Sequence, residues 1–294
     1  MKLEKKLNPN NETLTKENWS MIIRPQRRWF DFQFADLWKY RDLIRLFVWR
    51  DFVAYYKQTV LGPLWYLIQP ILSTIVFTII FGQIARLSTD GLPPFLFYLA
   101  GQTVWSYFSS CFTATSNTFV ANSVIFGKVY FPRMSVPISI VISNLISFGI
   151  RFCVFLSFWL FYWIAGKGFT PNLWMLTLPL LVILMAGLGL GFGIIFSSLT
   201  TKYRDLQQLI GFGVQLLMYA TPIIYPLSTV SGIWRTAILL NPMTPVIEVF
   251  RRGFFGVSDL NPIWLIYTSI FTLVVLFIGL ILFNRIESSF MDTV

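Results

Sequence analysis

With 294 residues, 55% of them hydrophobic and only 12% charged, the chain is an integral membrane protein and not a soluble domain on one anchor. Its net charge of +10 does not point to nucleic acid, because 12 of its 23 lysines and arginines precede Leu61, beside the first apolar run. Histidine is absent and both cysteines, Cys111 and Cys153, fall in apolar segments, which removes zinc sites, histidine-dependent catalysis and a disulfide framework.

Residues 1–36 read as a cytoplasmic N-terminal extension without the apolar core of a signal peptide. Asn8-Pro9-Asn10-Asn11 reads as flexible linker, and Phe30, Phe32 and Phe34 alternate as in a short strand or a surface-hugging segment. Residues 37–62 predict an amphipathic interface helix. On a 3.6-residue helix Leu37, Tyr40, Ile44, Phe47, Val48, Phe52 and Tyr55 share one side, and Lys39, Asp42, Arg50 and Lys57 take the other. Such a helix lies in the headgroup plane, as a grip for a cytoplasmic partner or as a plain juxtamembrane anchor.

Gly62-Pro63 breaks that helix, and residues 63–294 form the membrane domain. Six apolar runs are long enough to cross hydrocarbon: Leu64–Ala85, Phe95–Phe119, Val136–Ala165, Trp174–Leu199, Leu206–Tyr225 and Pro262–Phe283. An even number returns both termini to one side. That side carries 17 basic residues against 5 on the other, which places both termini in the cytoplasm. Asn122–Pro137 reads as a cytoplasmic short helix and turn. Ser228–Asn261 is too broken to cross, because Asn241-Pro242, Pro245, Gly253 and Gly256 divide it into two short helical pieces. Irregular backbone survives at membrane depth only when buried in protein or lining a cavity, so these pieces are expected as re-entrant helices guarding the outer end. The predicted fold is thus all-α: an N-terminal amphipathic interface helix, six transmembrane helices, and two short re-entrant helices between spans five and six.

Arg151 is the single ionisable residue deep in a span. A charge there faces water, a partner or a pore, or bonds a neighbouring carbonyl or hydroxyl. No Asp or Glu lies in a span core, which weakens a proton- or sodium-coupled transporter. Gly187, Gly189, Gly191 and Gly193 form two small-xxx-small pairs in the fourth span, a packing signal. Gly127-Lys128 and Gly166-Lys167 lack the remainder of a Walker sequence, so any ATP hydrolysis belongs to another polypeptide. A membrane glycosyltransferase or polymerase needs paired carboxylates at a membrane surface, and Asp90, Glu248 and Asp259 are scattered.

Several blocks carry a resemblance. Tyr40-Arg41-Asp42-Leu43, Val48-Trp49-Arg50-Asp51 and the run from Tyr56 to Trp65 (YKQTVLGPLW) open the series. Lys128-Val129-Tyr130-Phe131-Pro132-Arg133, Tyr203-Arg204-Asp205, Thr221-Pro222 and Asn241-Pro242-Met243-Thr244-Pro245 with Phe250-Arg251 complete it. Together they resemble ABC-2 type permeases that export bacterial polysaccharides, from about Ile23 to the C-terminus. Arg151 stands where a neutral or acidic residue is expected, so the resemblance gives it no role.

The resemblance implies a homodimer of permeases working with two copies of a separate ABC ATPase in the bacterial inner membrane. The cargo would be a lipid-linked polysaccharide (O antigen, capsule or teichoic acid), with exporters of lipid or drug as relatives of similar architecture. The chain itself would need no cofactor, ATP and magnesium residing on the ATPase. Lys39, Arg41, Gly127, Lys128 and Arg133 would lie in the segments that couple to it, and Asn241, Pro242, Pro245, Phe250 and Arg251 would close the outer end. Aromatic faces stack on sugars, which makes Tyr66, Trp105, Tyr107 and Tyr219 channel candidates with Arg151; interfacial belt or core packing is the alternative for each ring. Arg50, Lys57, Lys128 and Arg133 suit a pyrophosphate, or equally the anionic lipid of the cytoplasmic leaflet.

Overall fold

The computed structural model describes residues 34–57, 62–129, 131–166, 169–201, 203, 205–258 and 260–290, with backbone only at 34–36, 55, 56, 63 and 286–290. The N-terminal extension up to residue 33, including Phe30 and Phe32, lies outside the described residues, as do Tyr130, Lys202 and Arg204. Among the described residues all regular structure is helical.

The expected interface helix is two helices, α1 (Phe34–Lys39) and α2 (Arg41–Lys57), parted by a turn at Tyr40. Its expected apolar face exists but faces protein. Phe47 is buried, and Ile44, Val48 and Phe52 line an apolar groove of about 280 Å³ with Ile142 and Ile146. Trp38, Leu46 and Trp49 of this segment are exposed.

Next come α3 (Trp65–Phe77), continued by a π-helical stretch Thr78–Ile84, and α4 (Pro94–Ser116). The second span ends three residues before the expected Phe119. Asn117 and Asn122 each turn the side-chain amide back onto a carbonyl four residues earlier, at 3.3 and 3.0 Å, which competes with helix continuation. Two short helices, α5 (Thr118–Ala121) and α6 (Ser123–Lys128), fill the connection to α7 (Ser135–Ile164). A 3₁₀ turn, Leu173–Thr177, leads into α8 (Leu178–Thr200). α9 (Leu206–Tyr219) stops short of the expected Tyr225, three residues before Pro222, whose ring disfavours helical geometry in the residue before it. α10 (Gly232–Leu239) and α11 (Met243–Phe255) are the two short pieces expected there, and α12 (Ile263–Phe290) closes the chain.

Among the described residues, four helical segments are long and apolar enough to cross a membrane: Trp65–Ile84, Ser135–Ile164, Leu173–Thr200 and Ile263–Arg285. α4 has the length, 23 residues, but carries Gln102, Thr103, Ser106 and other polar groups. It affords them because neighbours surround it: Leu96, Tyr98, Leu99, Ala100 and Val104 are fully buried. α9, with 14 residues, spans about 21 Å at 1.5 Å per residue.

The four glycines of α8 divide their work between two neighbours. A Cβ at Gly187 or Gly191 would lie 2.6 Å from Thr272 or 2.9 Å from Val275 on α12. One at Gly189 would lie 2.6 Å from Cys111 on α4, and one at Gly193 would strike Thr115. Both small-xxx-small pairs therefore pack within the chain, α8 wedged between α4 and α12.

A separate apolar cluster marks one end. Phe47, Phe119, Phe126, Phe131, Val136, Ile194 and Phe283 gather α2, α5, α6 and the adjoining ends of α7, α8 and α12. At the opposite end α11 is buried almost throughout. There Trp159 donates its indole N–H to the Phe254 carbonyl (2.9 Å), and the Asn172 N–H reaches the Gly253 carbonyl (2.9 Å). Gly256, at φ 72°, ends α11 in the left-handed conformation that glycine adopts without strain.

Candidate functional site

Midway along their lengths α3, α4 and α7 border a half-open polar cavity of about 120 Å³, lined by Gln69, Pro70, Ser73, Gln102, Thr103, Ser106 and Arg151. Arg151, picked out by charge alone, thus opens onto a space bounded by two other helices. Ser73 donates its hydroxyl to Gln102 Oε1 (2.7 Å). Thr103 and Ser106 turn theirs onto the carbonyls of Leu99 (2.7 Å) and Thr103 (3.1 Å). Gln102 Nε2 is buried with no hydrogen-bond partner. Gln69, Ser73, Gln102 and Ser106 escaped sequence analysis, because single uncharged polar residues in a span ordinarily bond their own helix. Their shared depth on two neighbouring apolar runs is the signal that points to them.

The aromatic channel candidates do not converge on this cavity. Tyr66, Trp105 and Tyr107 are buried. Tyr107 packs on Phe148 (5.1 Å between ring centres) and Trp105 on Phe108 (5.3 Å). Tyr219 is exposed at the end of α9.

The outer-end residues form one bonded knot. Asn241 donates its side-chain amide to the Thr221 hydroxyl (2.8 Å) and accepts from the Met243 N–H (3.1 Å) at the start of α11. The Pro242 carbonyl accepts from Thr268 on α12 (3.3 Å). Pro245 and Phe250 lie on the buried length of α11. Arg251, only 2% exposed, donates to the Pro222 carbonyl (2.6 Å), the Ile223 carbonyl (3.1 Å) and Glu248 (3.3 Å), and its guanidinium sits 3.7 Å from the Phe97 ring centre. Glu248 also accepts from Ser258 (2.8 Å). On α11, outside the four long apolar helices, burial pushes the Glu248 carboxyl above its ordinary value while Arg251 and Ser258 pull the other way. The knot ties the break after α9 to α4, α11 and α12.

At the first-described end, Arg50 pairs with Asp51 (2.7 Å) and lies over Phe47 (4.9 Å). Arg133 is 5% exposed and lies over Phe126 (5.5 Å). Phe47 and Phe126 both pack on Phe131, at 5.7 and 5.8 Å, so the two arginines flank one aromatic trio. Lys39, Arg41, Lys57, Gly127 and Lys128 are exposed, and Arg41 lies 5.6 Å from the Trp38 ring centre. A surface for a partner at this end therefore draws on these exposed residues, with Arg133 beneath them.

Residues 42–255 match the family model described as ABC-2 type transporter. The chain is 30% identical over 253 residues to the O-antigen export system permease protein RfbA of Klebsiella pneumoniae, covering 85% of this chain and 94% of that protein. It is 27% identical over 222 residues to RfbA of Myxococcus xanthus, covering 75% and 83%. To the polysialic acid transport protein KpsM of Escherichia coli it is 28% identical over 237 residues, covering 79% and 89%.

Proposed function

This chain belongs to the ABC-2 type transporter family and is a polysaccharide export permease; we propose that two copies work with two copies of a separate ATPase to move a lipid-linked O antigen or capsule glycan across a bacterial inner membrane. The carrying observation is the 30% identity to an O-antigen permease along 94% of that protein's length.

In this reading α3, α4, α7, α8, α9 and α12 are the six crossings. The polar content of α4 fits its enclosure by protein, and residues 220–225 add reach to α9. α10 and α11 re-enter the outer leaflet, as the burial of α11 favours, and both termini are cytoplasmic by the excess of basic residues on that side. Exposed Lys39, Arg41, Gly127 and Lys128 meet the ATPase, and Arg133 supports that surface from below. Arg50, Lys57 and Lys128 are the residues to which a lipid pyrophosphate has access there. The knot of Asn241, Pro242, Pro245, Phe250 and Arg251 holds the outer end. Gln208, Gly211 and Gln215, uncovered on α9, suit the face turned to a second copy or to the path between copies. Nucleotide and magnesium stay with the ATPase.

The test is inactivation in the native host with complementation. Loss of surface polysaccharide, with lipid-linked glycan retained inside, is the expected outcome, and rescue requires the chain together with its ATPase. Wild-type surface polysaccharide in the inactivated strain overturns the assignment.

A further inference from the structure

We propose that the groove between α2 and α7 binds an anionic phospholipid of the membrane, with one acyl chain lying in the groove and the phosphate meeting Arg45; this rests on the chain being a membrane protein and not on what it exports. The groove measures about 280 Å³. Ile44, Val48 and Phe52 of α2 form one wall, and Ile142 and Ile146 of α7 form the other. Arg45 and Trp49, both largely exposed, stand at its rim.

Size, depth and charge each narrow the occupant. One turn of a partner helix, about 10 Å across and 5.4 Å long, takes roughly 400 Å³ and does not fit. At about 30 Å³ for each water-sized group, the groove holds roughly nine methylenes. Its walls carry no hydrogen-bonding side chain, which excludes a sugar. α7 has 30 residues and is about 45 Å long, so when centred it overhangs a hydrocarbon core of about 30 Å by about 7 Å at each end. Ile142 and Ile146 lie about 10 and 16 Å from its start, hence about 3 and 9 Å inside the hydrocarbon boundary. That is where acyl chains meet their headgroups and where an interfacial helix lies. Ile142, Leu145 and Ile146 are exposed on α7, so a chain has entry from the bilayer. The charge at the rim then selects the headgroup. α2 carries Arg41, Arg45, Arg50 and Lys57 against Asp42 and Asp51. Asp51 is held by Arg50 (2.7 Å), and Asp42 lies 3.3 Å from one nitrogen of Arg45. An exposed pair such as Arg45 with Asp42 contributes little, so the guanidinium turns its fork to a phosphate at small cost. Arg41, one turn earlier on the same side of α2, adds a second cation, and Trp49, one turn later, sets an amphipathic ring at headgroup level.

The probes are phosphatidylglycerol and phosphatidylcholine with identical acyl chains, supplied in equal amounts to the full chain in detergent. Native mass spectrometry reads the lipid retained per chain. One phosphatidylglycerol should remain in preference to phosphatidylcholine. Arg45→Gln, an exposed change that leaves folding intact, should lower that preference about fivefold, the effect of one arginine at an anionic surface. Ile146→Phe puts a ring in the groove and should lower retention of both lipids at least about tenfold, since displacing two methylenes already costs that much. Arg235→Gln, an equal loss of charge on α10, should change neither. No retained lipid in the wild type, equal retention of the two lipids, or retention indifferent to either groove variant overturns the site. Displacement by a polyprenyl phosphate at lower concentration than by phosphatidylglycerol also overturns it, because the groove would then take a lipid carrier and not a membrane lipid. Export and ATP hydrolysis play no part in this measurement, so its failure is distinct from failure of the export assignment.

Discussion

Arg251 is buried and Arg151 half-buried, and their surroundings differ in kind. Arg251 has a carboxylate, two carbonyls and an aromatic face within reach, and packs against Gly101 of α4. Arg151 opens onto a cavity with uncharged polar neighbours, among them a buried Gln102 amide nitrogen that has no acceptor. Open positions also occur along α7 and α9, where a Cβ at Gly149, Gly211 or Gly213 would meet nothing within 4 Å. The filled side matches its buried charge internally, as a structural element must. The unfilled part, the pocket with these open glycine positions, leaves space that the chain itself does not occupy.

The strongest way to break this contrast is at Arg251. Arg251→Met leaves Glu248 buried beside two unmatched carbonyls, and removing one partner of a buried pair costs about 3–5 kcal/mol. Little folded protein should be recovered, with a lowered unfolding midpoint. Adding Glu248→Gln removes the stranded carboxylate, so the double variant should be more stable than Arg251→Met alone, with a coupling on the order of 0.5–3 kcal/mol. A wild-type midpoint for Arg251→Met would mean that the knot is not structural.

Next in size is the glycine seam. Gly193→Ala places a methyl group against Thr115 of α4, where helix backbones are already in contact. Overpacking of this kind costs about 1–3 kcal/mol, and the unfolding midpoint should fall accordingly. An unchanged midpoint would show that α4 and α8 part easily, and the filled side would lose its claim to rigidity.

How far the sequence reveals this arrangement depends on the kind of interaction. The apolar runs and the glycine spacing mark helices and their close approach, because both depend on periodicity along one segment. Arg151 stands out as a lone charge, and Thr221-Pro222, Asn241-Pro242 and Arg251 stand out through a resemblance. That these last converge is not legible, because Arg251 bonds backbone carbonyls of Pro222 and Ile223, atoms every residue carries. The interface helix shows the opposite limit. Its apolar side is periodic, but periodicity does not say whether lipid or α7 covers it, and here α7 does. Gln102 and Ser73 form a cavity wall only through the packing of α3 on α4, a property of two segments at once.

The smallest effect separates the two sides by sign. Gly211 lies in the interior of α9 with open space around its missing side chain, unlike Gly193. Alanine there gains helix propensity, about 0.8–1 kcal/mol over glycine, and meets nothing in its own chain. Gly211→Ala should therefore leave the unfolding midpoint unchanged or slightly raised, where Gly193→Ala lowers it. If a second copy covers this face, as in the proposed dimer, the added methyl should shift the monomer–dimer equilibrium toward monomer without destabilising the chain. Single-molecule mass measurement in detergent reads that directly. A stabilised chain with an unaltered dimer would show that Gly211 turns toward lipid or the path, and the contact between copies would then lie on another helix. A destabilised chain would show that the space beside α9 is filled from within, and the division between a filled and an unfilled side would fail at that helix.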